Sequence, residues 1–99
     1  MKEKELEEKF RDAVWRAGGR AFKFVSPGNA GVPDRLVVLP GGKAGFVELK
    51  APGKRLRPDQ ELQIRKLKNM GFVAMVLDDP ARIPEAITAI AQGDWGWNP

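Results

Sequence analysis

The stretch DRLVVLPGGKAGFVELK, residues 34–50, predicts a β-hairpin and decides the fold of this chain. Two apolar runs, residues 35–39 and 44–50, flank a Pro-Gly-Gly turn at residues 40–42. Apolar runs separated by a few turn residues are typical of antiparallel strands joined by a tight turn. The sequence therefore predicts a β-hairpin at residues 35–50, around which the other elements are expected to pack.

The expected register of this hairpin brings two acidic residues together. If the chain folds back about Gly41, Asp34 lies directly opposite Glu48, with Cβ atoms about 4.5–5.5 Å apart. Side chains alternate along a strand, so Lys50 shares the face of Glu48. A register change of one residue would separate the two acids. The alternation also predicts that this face continues as core through Leu36, Val38 and Phe46.

Two carboxylates in this arrangement repel each other unless something neutralises them. Carboxylate oxygens prefer hard cations, and the chain has no His or Cys that would favour a softer metal. Asp34 and Glu48 therefore imply a site for Mg²⁺ or Mn²⁺. Such an ion activates water for phosphodiester hydrolysis, and Lys50 could position that water or offset the growing negative charge. The alternative is a Glu48–Lys50 salt bridge at a solvated strand end, with Asp34 as a turn residue. The convergence of all three favours catalysis.

Length and composition narrow the remaining possibilities. The 99 residues predict one domain, 1–99, with its core at about 3–91 and an irregular tail at 93–99. The lack of His, Cys and Tyr excludes disulfides, thiolate and imidazole chemistry and zinc–thiolate sites. The chain shows neither a signal-peptide pattern nor an apolar run of membrane-spanning length. We therefore expect a soluble cytoplasmic protein without a membrane partner.

The basic residues are concentrated in one part of the chain. The formal net charge is +4, and residues 43–68 contain eight basic and three acidic residues. Such a segment suits a polyanion, although a solvated helix face and charged loop would produce the same count. Lys54, Arg55 and Arg57 follow Lys50 closely and are predicted to contact DNA phosphates, with Lys23 as a lesser candidate.

The other elements follow from periodicity and from turn residues. Helical spacing of apolar residues, turn signals and apolar runs predict the order α-β-β-β-α-β-α, a mixed sheet flanked by helices. The predicted elements are a helix at 3–17, strands at 21–25, 35–39 and 44–50, a helix that begins at Pro58 and is capped by Gly71, a strand at 72–77 and a helical region that begins at Asp79.

Three motifs in order, GVPDR at 31–35, FVELKAPG at 46–53 and RPDQ at 57–60, resemble the PD-(D/E)XK nuclease superfamily. More narrowly, the chain is similar to the small stand-alone form of the VRR-NUC (virus-type replication–repair nuclease) family. This resemblance implies a restriction-endonuclease-like α/β core of order αβββαβ, followed here by a C-terminal helix.

The resemblance also assigns site residues. It implies that Asp34 and Glu48 bind the metal, that the Leu49 backbone carbonyl is a further ligand and that Lys50 is catalytic. Gln60 matches a glutamine that approaches the active site in this superfamily, and is otherwise an ordinary polar residue of a first helical turn. Many members add an acid from the first helix, here Glu3 or Glu7, although acids near a helix N-terminus are also common without such a role.

By this resemblance, the chain is a Mg²⁺- or Mn²⁺-dependent endodeoxyribonuclease that hydrolyses branched DNA, such as four-way junctions, in a bacterial or phage-infected cell. Stand-alone relatives are associated with homodimers, so a homodimer is expected. Trp95 and Trp97, in the short C-terminal tail, could pack on their own domain or on the second subunit. The alternatives are a nuclease-fold module that binds nucleic acid without cleavage, and a flap or nicking nuclease that depends on a partner protein.

Overall fold

The computed structural model describes residues 1–97 and confirms the predicted order of elements. The element bounds are α1 Glu3–Arg16, β1 Arg20–Lys23, β2 Arg35–Leu39, β3 Lys43–Leu49, α2 Pro58–Asn69, β4 Val73–Leu77 and α3 Ile83–Gln92. A short 3₁₀ turn, Pro80–Arg82, precedes α3. Residues 93–97 of the predicted irregular tail lie in neither helix nor strand, and residues 98–99 lie outside the described part of the chain.

The four strands form one mixed sheet in the order β1-β2-β3-β4. The pairs β1–β2 and β2–β3 are antiparallel, whereas β3 and β4 are parallel. A parallel pair needs a long crossover connection, and the segment containing α2 provides it. None of the helices within residues 1–97 is long and apolar enough to cross a membrane.

The hairpin register is the one expected from the sequence. Arg35 lies opposite Val47, and Leu36 lies opposite Phe46. Continued by one residue, this register brings Asp34 to Glu48. The Asp34 N–H donates a hydrogen bond of 3.1 Å to Oε1 of Glu48, so the two residues are in contact.

The core lies on the opposite side of the sheet from the one expected. The buried cluster contains Val37, Val47 and Leu49, together with residues of α1, α3 and β4: Leu6, Phe10, Val14, Met75, Leu77 and Ile90. The prediction that Leu36, Val38 and Phe46 form the core is therefore wrong, since all three are only partly buried. The reason is that both α1 and α3 pack on the face of Val37 and Val47, whereas α2 contacts β4.

Gly31 allows the loop before β2 to pack against the start of α2. Its φ is +85°, and a Cβ atom built at this position would lie 2.7 Å from the backbone of Asp59. The Gln63 side chain donates a hydrogen bond of 3.2 Å to the Ala30 carbonyl, which joins the same two elements. The glycine of the GVPDR motif therefore has a packing role, and it fixes the approach of α2 to the hairpin end.

We expect Gly31→Ala to destabilise the protein more than Gly28→Ala. Both glycines have positive φ, so each substitution should lower the free energy of unfolding by about 1–2 kcal/mol through backbone conformation. Only the new methyl group at position 31 would also meet the Asp59 backbone, because within residues 1–97 no atom beyond the chain neighbours of Gly28 lies within 4 Å of a Cβ at position 28. Urea unfolding of both variants measures the difference, and equal losses would contradict this account.

Candidate active site

Asp34 and Glu48 are held together by the backbone of the hairpin. The Asp34 N–H donates to Glu48 Oε1 at 3.1 Å, and the Leu49 N–H donates to Asp34 Oδ1, also at 3.1 Å. Each carboxylate is thus fixed by the main chain beside the other acid. Their proximity follows from strand register and does not depend on a flexible loop.

Burial makes this acid pair electrostatically unfavourable in its fully charged form. Glu48 is only 6% exposed, and burial, reinforced by the charge of Asp34, raises its pKa to about 7, although Lys50 opposes this. Burial also raises the pKa of Asp34, while the Leu49 N–H and the Arg35 guanidinium oppose that increase. Near neutral pH, the pair therefore favours an added positive charge, either a proton or a cation.

Lys50 and Gln60 both lie beside the same oxygen of Glu48. Lys50 Nζ is 3.9 Å from Glu48 Oε2, and Gln60 Nε2 donates to that oxygen at 3.2 Å. Gln60 is buried, and its own Oε1 accepts a hydrogen bond of 2.9 Å from the Arg57 N–H at the start of α2. Gln60 therefore caps the helix and contacts the candidate site with the same amide, so that both interpretations of this residue apply.

The two first-helix candidates are in different environments. The Glu7 carboxylate forms a salt bridge of 2.6 Å with the Arg35 guanidinium. Glu3 is exposed at the mouth of a cavity of about 690 Å³ that Asp34 also lines. Its charge contributes to the raised pKa values of Asp34 and Glu48. This arrangement favours Glu3 over Glu7 as the acid that could join the site.

Arg35 is a residue whose role the sequence reasoning missed. It is buried, and besides the salt bridge to Glu7 its Nη1 donates to the Ala21 carbonyl at 3.3 Å. It therefore ties α1 and β1 to the start of β2, next to Asp34. The sequence did contain a signal for this role, because Arg35 begins an apolar strand and shares a face with Val37. A guanidinium buried on that face requires an acidic partner.

The donor atoms suit a hard divalent cation. Within residues 1–97, no three acidic or imidazole side chains come together as a complete metal cage. Mg²⁺ does not require one, because it keeps several waters and often binds through one or two carboxylates and substrate phosphates. Asp34 and Glu48 provide that minimal set, and the roles of the Leu49 carbonyl and Glu3 stay predictions.

The four predicted phosphate-binding residues are all exposed. Lys54 and Arg55 are exposed on the loop between β3 and α2. Arg57 is exposed too, but its guanidinium forms two hydrogen bonds with Asp59, of 3.2 and 3.3 Å. Lys23 is exposed and lines the cavity that contains Asp34. Lys54 and Arg55 therefore have the most available charge for a polyanion on this loop.

The two tail tryptophans behave differently. Trp97 is partly buried and packs against the core of its own chain. Its carbonyl accepts a hydrogen bond of 3.4 Å from Lys68 Nζ. Trp95 is exposed. Trp97 therefore packs on its own domain, as one of the two alternatives predicted, whereas Trp95 does not join the core cluster of the described residues.

The raised pKa of Glu48 predicts how the stability of the metal-free protein varies with pH. The folded-state pKa of about 7 exceeds the ordinary value of 4.5, so the folded state holds this proton more tightly than the unfolded state. The resulting stability is present below pH 4.5 and is lost as pH rises through 7. Without divalent metal, the free energy of unfolding should fall by about 1–3 kcal/mol between pH 5.5 and 8.5.

Urea unfolding in EDTA across this range measures the effect, which is easily isolated because the chain has no histidine. Glu48→Gln should flatten the profile and be more stable than the wild type at pH 8. Glu61→Gln, at an exposed position of α2, is the matched control and should leave the slope unchanged. A pH-independent wild type would contradict the electrostatic account.

The chain and its structure are similar to known proteins. The sequence matches the VRR-NUC domain family over residues 1–78. It is 47% identical, over 78 residues, to "Putative nuclease p44" of Acyrthosiphon pisum secondary endosymbiont phage 1, a match that covers 79% of this chain and 84% of the phage protein.

Two solved structures share the fold. A VRR-NUC domain superimposes with a TM-score of 0.81 at 25% identity, covering 87% of this chain and 94% of the other. A second VRR-NUC domain protein gives a TM-score of 0.70 at 20% identity, covering 94% of this chain and 90% of the other. At this identity, the likeness is evidence for the fold only. Taken with the family match and the phage relative, these similarities show that the chain belongs to the VRR-NUC family of nucleases.

Proposed function

We propose that this protein is a Mg²⁺- or Mn²⁺-dependent endodeoxyribonuclease that acts on branched DNA as a homodimer. The observation that carries the proposal is the Asp34–Glu48 pair at the hairpin end, in which Glu48 is buried, Asp34 is partly buried, and two backbone hydrogen bonds of 3.1 Å hold the carboxylates. Lys50 Nζ lies 3.9 Å from Oε2 of Glu48. An acid pair that favours a cation, with a lysine beside it, suits metal-assisted phosphodiester hydrolysis.

Each residue of the site has a distinct task in this proposal. Asp34 and Glu48 would hold the cation, with the Leu49 carbonyl and Glu3 as further ligands. When bound, the ion would polarise a phosphoryl oxygen and lower the pKa of a water molecule. Lys50 would position that water or stabilise negative charge as it grows on the phosphorus-bound oxygens.

Hydrogen bonds from the surrounding chain would preorganise these groups. Gln60 restrains Glu48 Oε2, and the Leu49 N–H restrains Asp34 Oδ1. Gln60 is thereby a positioning residue in this mechanism, because it acts through Glu48. Lys54 and Arg55 would contact phosphates on either side of the scissile bond, which positions DNA without reading its sequence.

The size of the chain supports a dimer on a branched substrate. The described residues extend only 32 × 31 × 24 Å, so one copy covers a small part of a four-way junction. Symmetric cutting of two strands requires two sites, and a twofold dimer supplies them. The relative from a phage supports a role in a bacterial or phage-infected cell, and the cytoplasmic location stays a prediction.

An apolar surface beside the site is available for this second copy. Phe24, Phe46 and Phe72 contact each other edge to face, with ring centroids 5.6 and 6.1 Å apart. Phe72 is 52% exposed at the end of this row. Exposed aromatic patches of this kind are typical of protein interfaces.

The first test is cleavage of a labelled panel that contains linear duplex, single strand, flap and four-way junction. We expect cutting with Mg²⁺ or Mn²⁺, none in EDTA, and preference for a branched substrate. Lys50→Ala should reduce the rate by about 100-fold or more, because it removes a preorganised charge from the transition state. Lys9→Ala, at an exposed position of α1, is the matched control and should cut at the wild-type rate.

This panel also separates the alternatives. Tight binding without cutting under any metal would overturn the enzyme proposal in favour of a binding module. Cutting restricted to flaps or single nicks would contradict junction cleavage and favour a nuclease that depends on a partner protein. Equal rates for Lys50→Ala and the wild type would contradict the assigned role of Lys50.

The second test is the mass in solution. Size-exclusion chromatography with light scattering should give twice the chain mass of 11.0 kDa at assay concentrations. Phe72→Glu should shift the protein towards monomer by placing a charge in the interface, whereas Leu62→Glu, at an exposed position of α2, should not. A monomeric wild type would contradict the dimer.

A further inference from the structure

A groove between α1 and β1 runs from the candidate active site to the far end of α1. Two cavities, of about 690 and 560 Å³, share Arg11, Ala21 and Phe22 in their walls. The first also contains Asp34, and the second contains Trp15. We call this continuous channel the α1–β1 groove. Its catalytic end, at Asp34 and Glu3, belongs to the mechanism described above, whereas the part of the groove beyond these residues does not.

Positive charge is available along the α1–β1 groove. Arg11, Arg20 and Lys23 line it, and none of the three forms an ion pair within residues 1–97. Two of the acids that line it are neutralised elsewhere, because Glu7 pairs with Arg35 and Asp12 pairs with Arg16, both at 2.6 Å. Of the other three acids that line the groove, Glu3 and Asp34 lie at its catalytic end, and Glu8 lines the second cavity.

Aromatic side chains accompany these bases. Trp15 is 63% exposed although it lines the second cavity, and Phe22 is 53% exposed on β1. Cations without acidic partners beside exposed aromatic rings are an arrangement by which proteins bind single strands, because the rings stack on bases while the cations contact phosphates. Paired bases inside a duplex are not accessible to such rings.

A protein partner fits this groove less well. A partner strand could pair with β1 only through the free backbone groups of this edge strand. The Ala21 carbonyl in the middle of β1 already accepts a hydrogen bond of 3.3 Å from Arg35 Nη1. The edge therefore lacks one of the acceptors that strand addition needs, whereas stacking on Trp15 needs no backbone group.

We propose that the α1–β1 groove binds unpaired nucleotides of the DNA substrate, such as those opened at a branch point, and directs them to the active site. Trp15 stacks on an unpaired base, and Arg11, Arg20 and Lys23 contact the phosphates that lead to Asp34. This inference rests on the proposed function, since the groove ends at that same site. It adds a substrate-binding track that is separate from the Lys54–Arg55 loop, since neither of these residues lines the groove.

The test is the affinity of the full chain for a fluorescein-labelled oligothymidine of about 12 nucleotides, measured by anisotropy in EDTA. Trp15→Ala should weaken binding about tenfold, because loss of one stacking ring typically has an effect of this size. Trp15→Phe keeps an aromatic face and should recover most of the affinity, whereas Trp15→Leu should not. Trp95→Ala removes a similarly exposed tryptophan outside the groove and should bind like the wild type.

Equal affinities for Trp15→Ala and Trp95→Ala would overturn the proposal. Loss of self-association in Trp15→Ala, with unchanged oligonucleotide affinity, would also overturn it and assign the groove to a protein. Because EDTA prevents metal-dependent cutting, the result is independent of catalysis. If the protein binds the oligonucleotide through Trp15 but cleaves no DNA, the proposed function is contradicted, whereas the proposed binding role of the groove is supported.

Discussion

The reciprocal hydrogen bonding of Asp34 and Glu48 across the β2–β3 hairpin is the constraint on which the rest of the site depends. The backbone N–H of Asp34 binds one carboxylate, and the backbone N–H of Leu49 binds the other. Strand register thereby forces a buried and a partly buried acid together, where their combined negative charge is unfavourable. The folded protein without a cation therefore has an unfavourable electrostatic energy at this acid pair. A cation bound there would relieve that cost.

Several features outside the hairpin maintain this arrangement. Gly31 lets the preceding loop lie against the start of α2, and Gln60 in that helix then reaches Glu48. Arg35, at the start of β2, contacts both α1 and β1. It forms a salt bridge with Glu7 of α1 and donates a hydrogen bond to the Ala21 carbonyl of β1. The positions of α2 and α1 beside the site therefore depend on Gly31 and on the buried Arg35, respectively. Substitutions at these two positions should alter the site without touching its acids.

Much of this was predictable from the sequence because it is local. The alternation of apolar residues and the Pro-Gly-Gly turn were sufficient for the hairpin, its register and the meeting of Asp34 with Glu48. The wrong prediction concerned Leu36, Val38 and Phe46, because strand alternation separates two faces but does not tell which face the helices cover. The same limit applies to Arg35 and to the groove at Trp15, since both depend on where α1 packs. Choosing between Glu3 and Glu7 also required that packing.

The central claim is that this acid pair accepts a divalent cation, and its most direct test is crystallographic. Crystals grown or soaked with Mn²⁺ at about pH 8 would be examined by anomalous diffraction, which locates the metal independently of the protein phases. The account predicts a Mn²⁺ ion about 2.0–2.2 Å from oxygens of both Asp34 and Glu48, as expected for a hard cation of this size. In crystals of Asp34→Asn, that peak should be weakened or lost. A wild-type structure in which Mn²⁺ binds elsewhere while these carboxylates keep only their present hydrogen bonds would contradict the account.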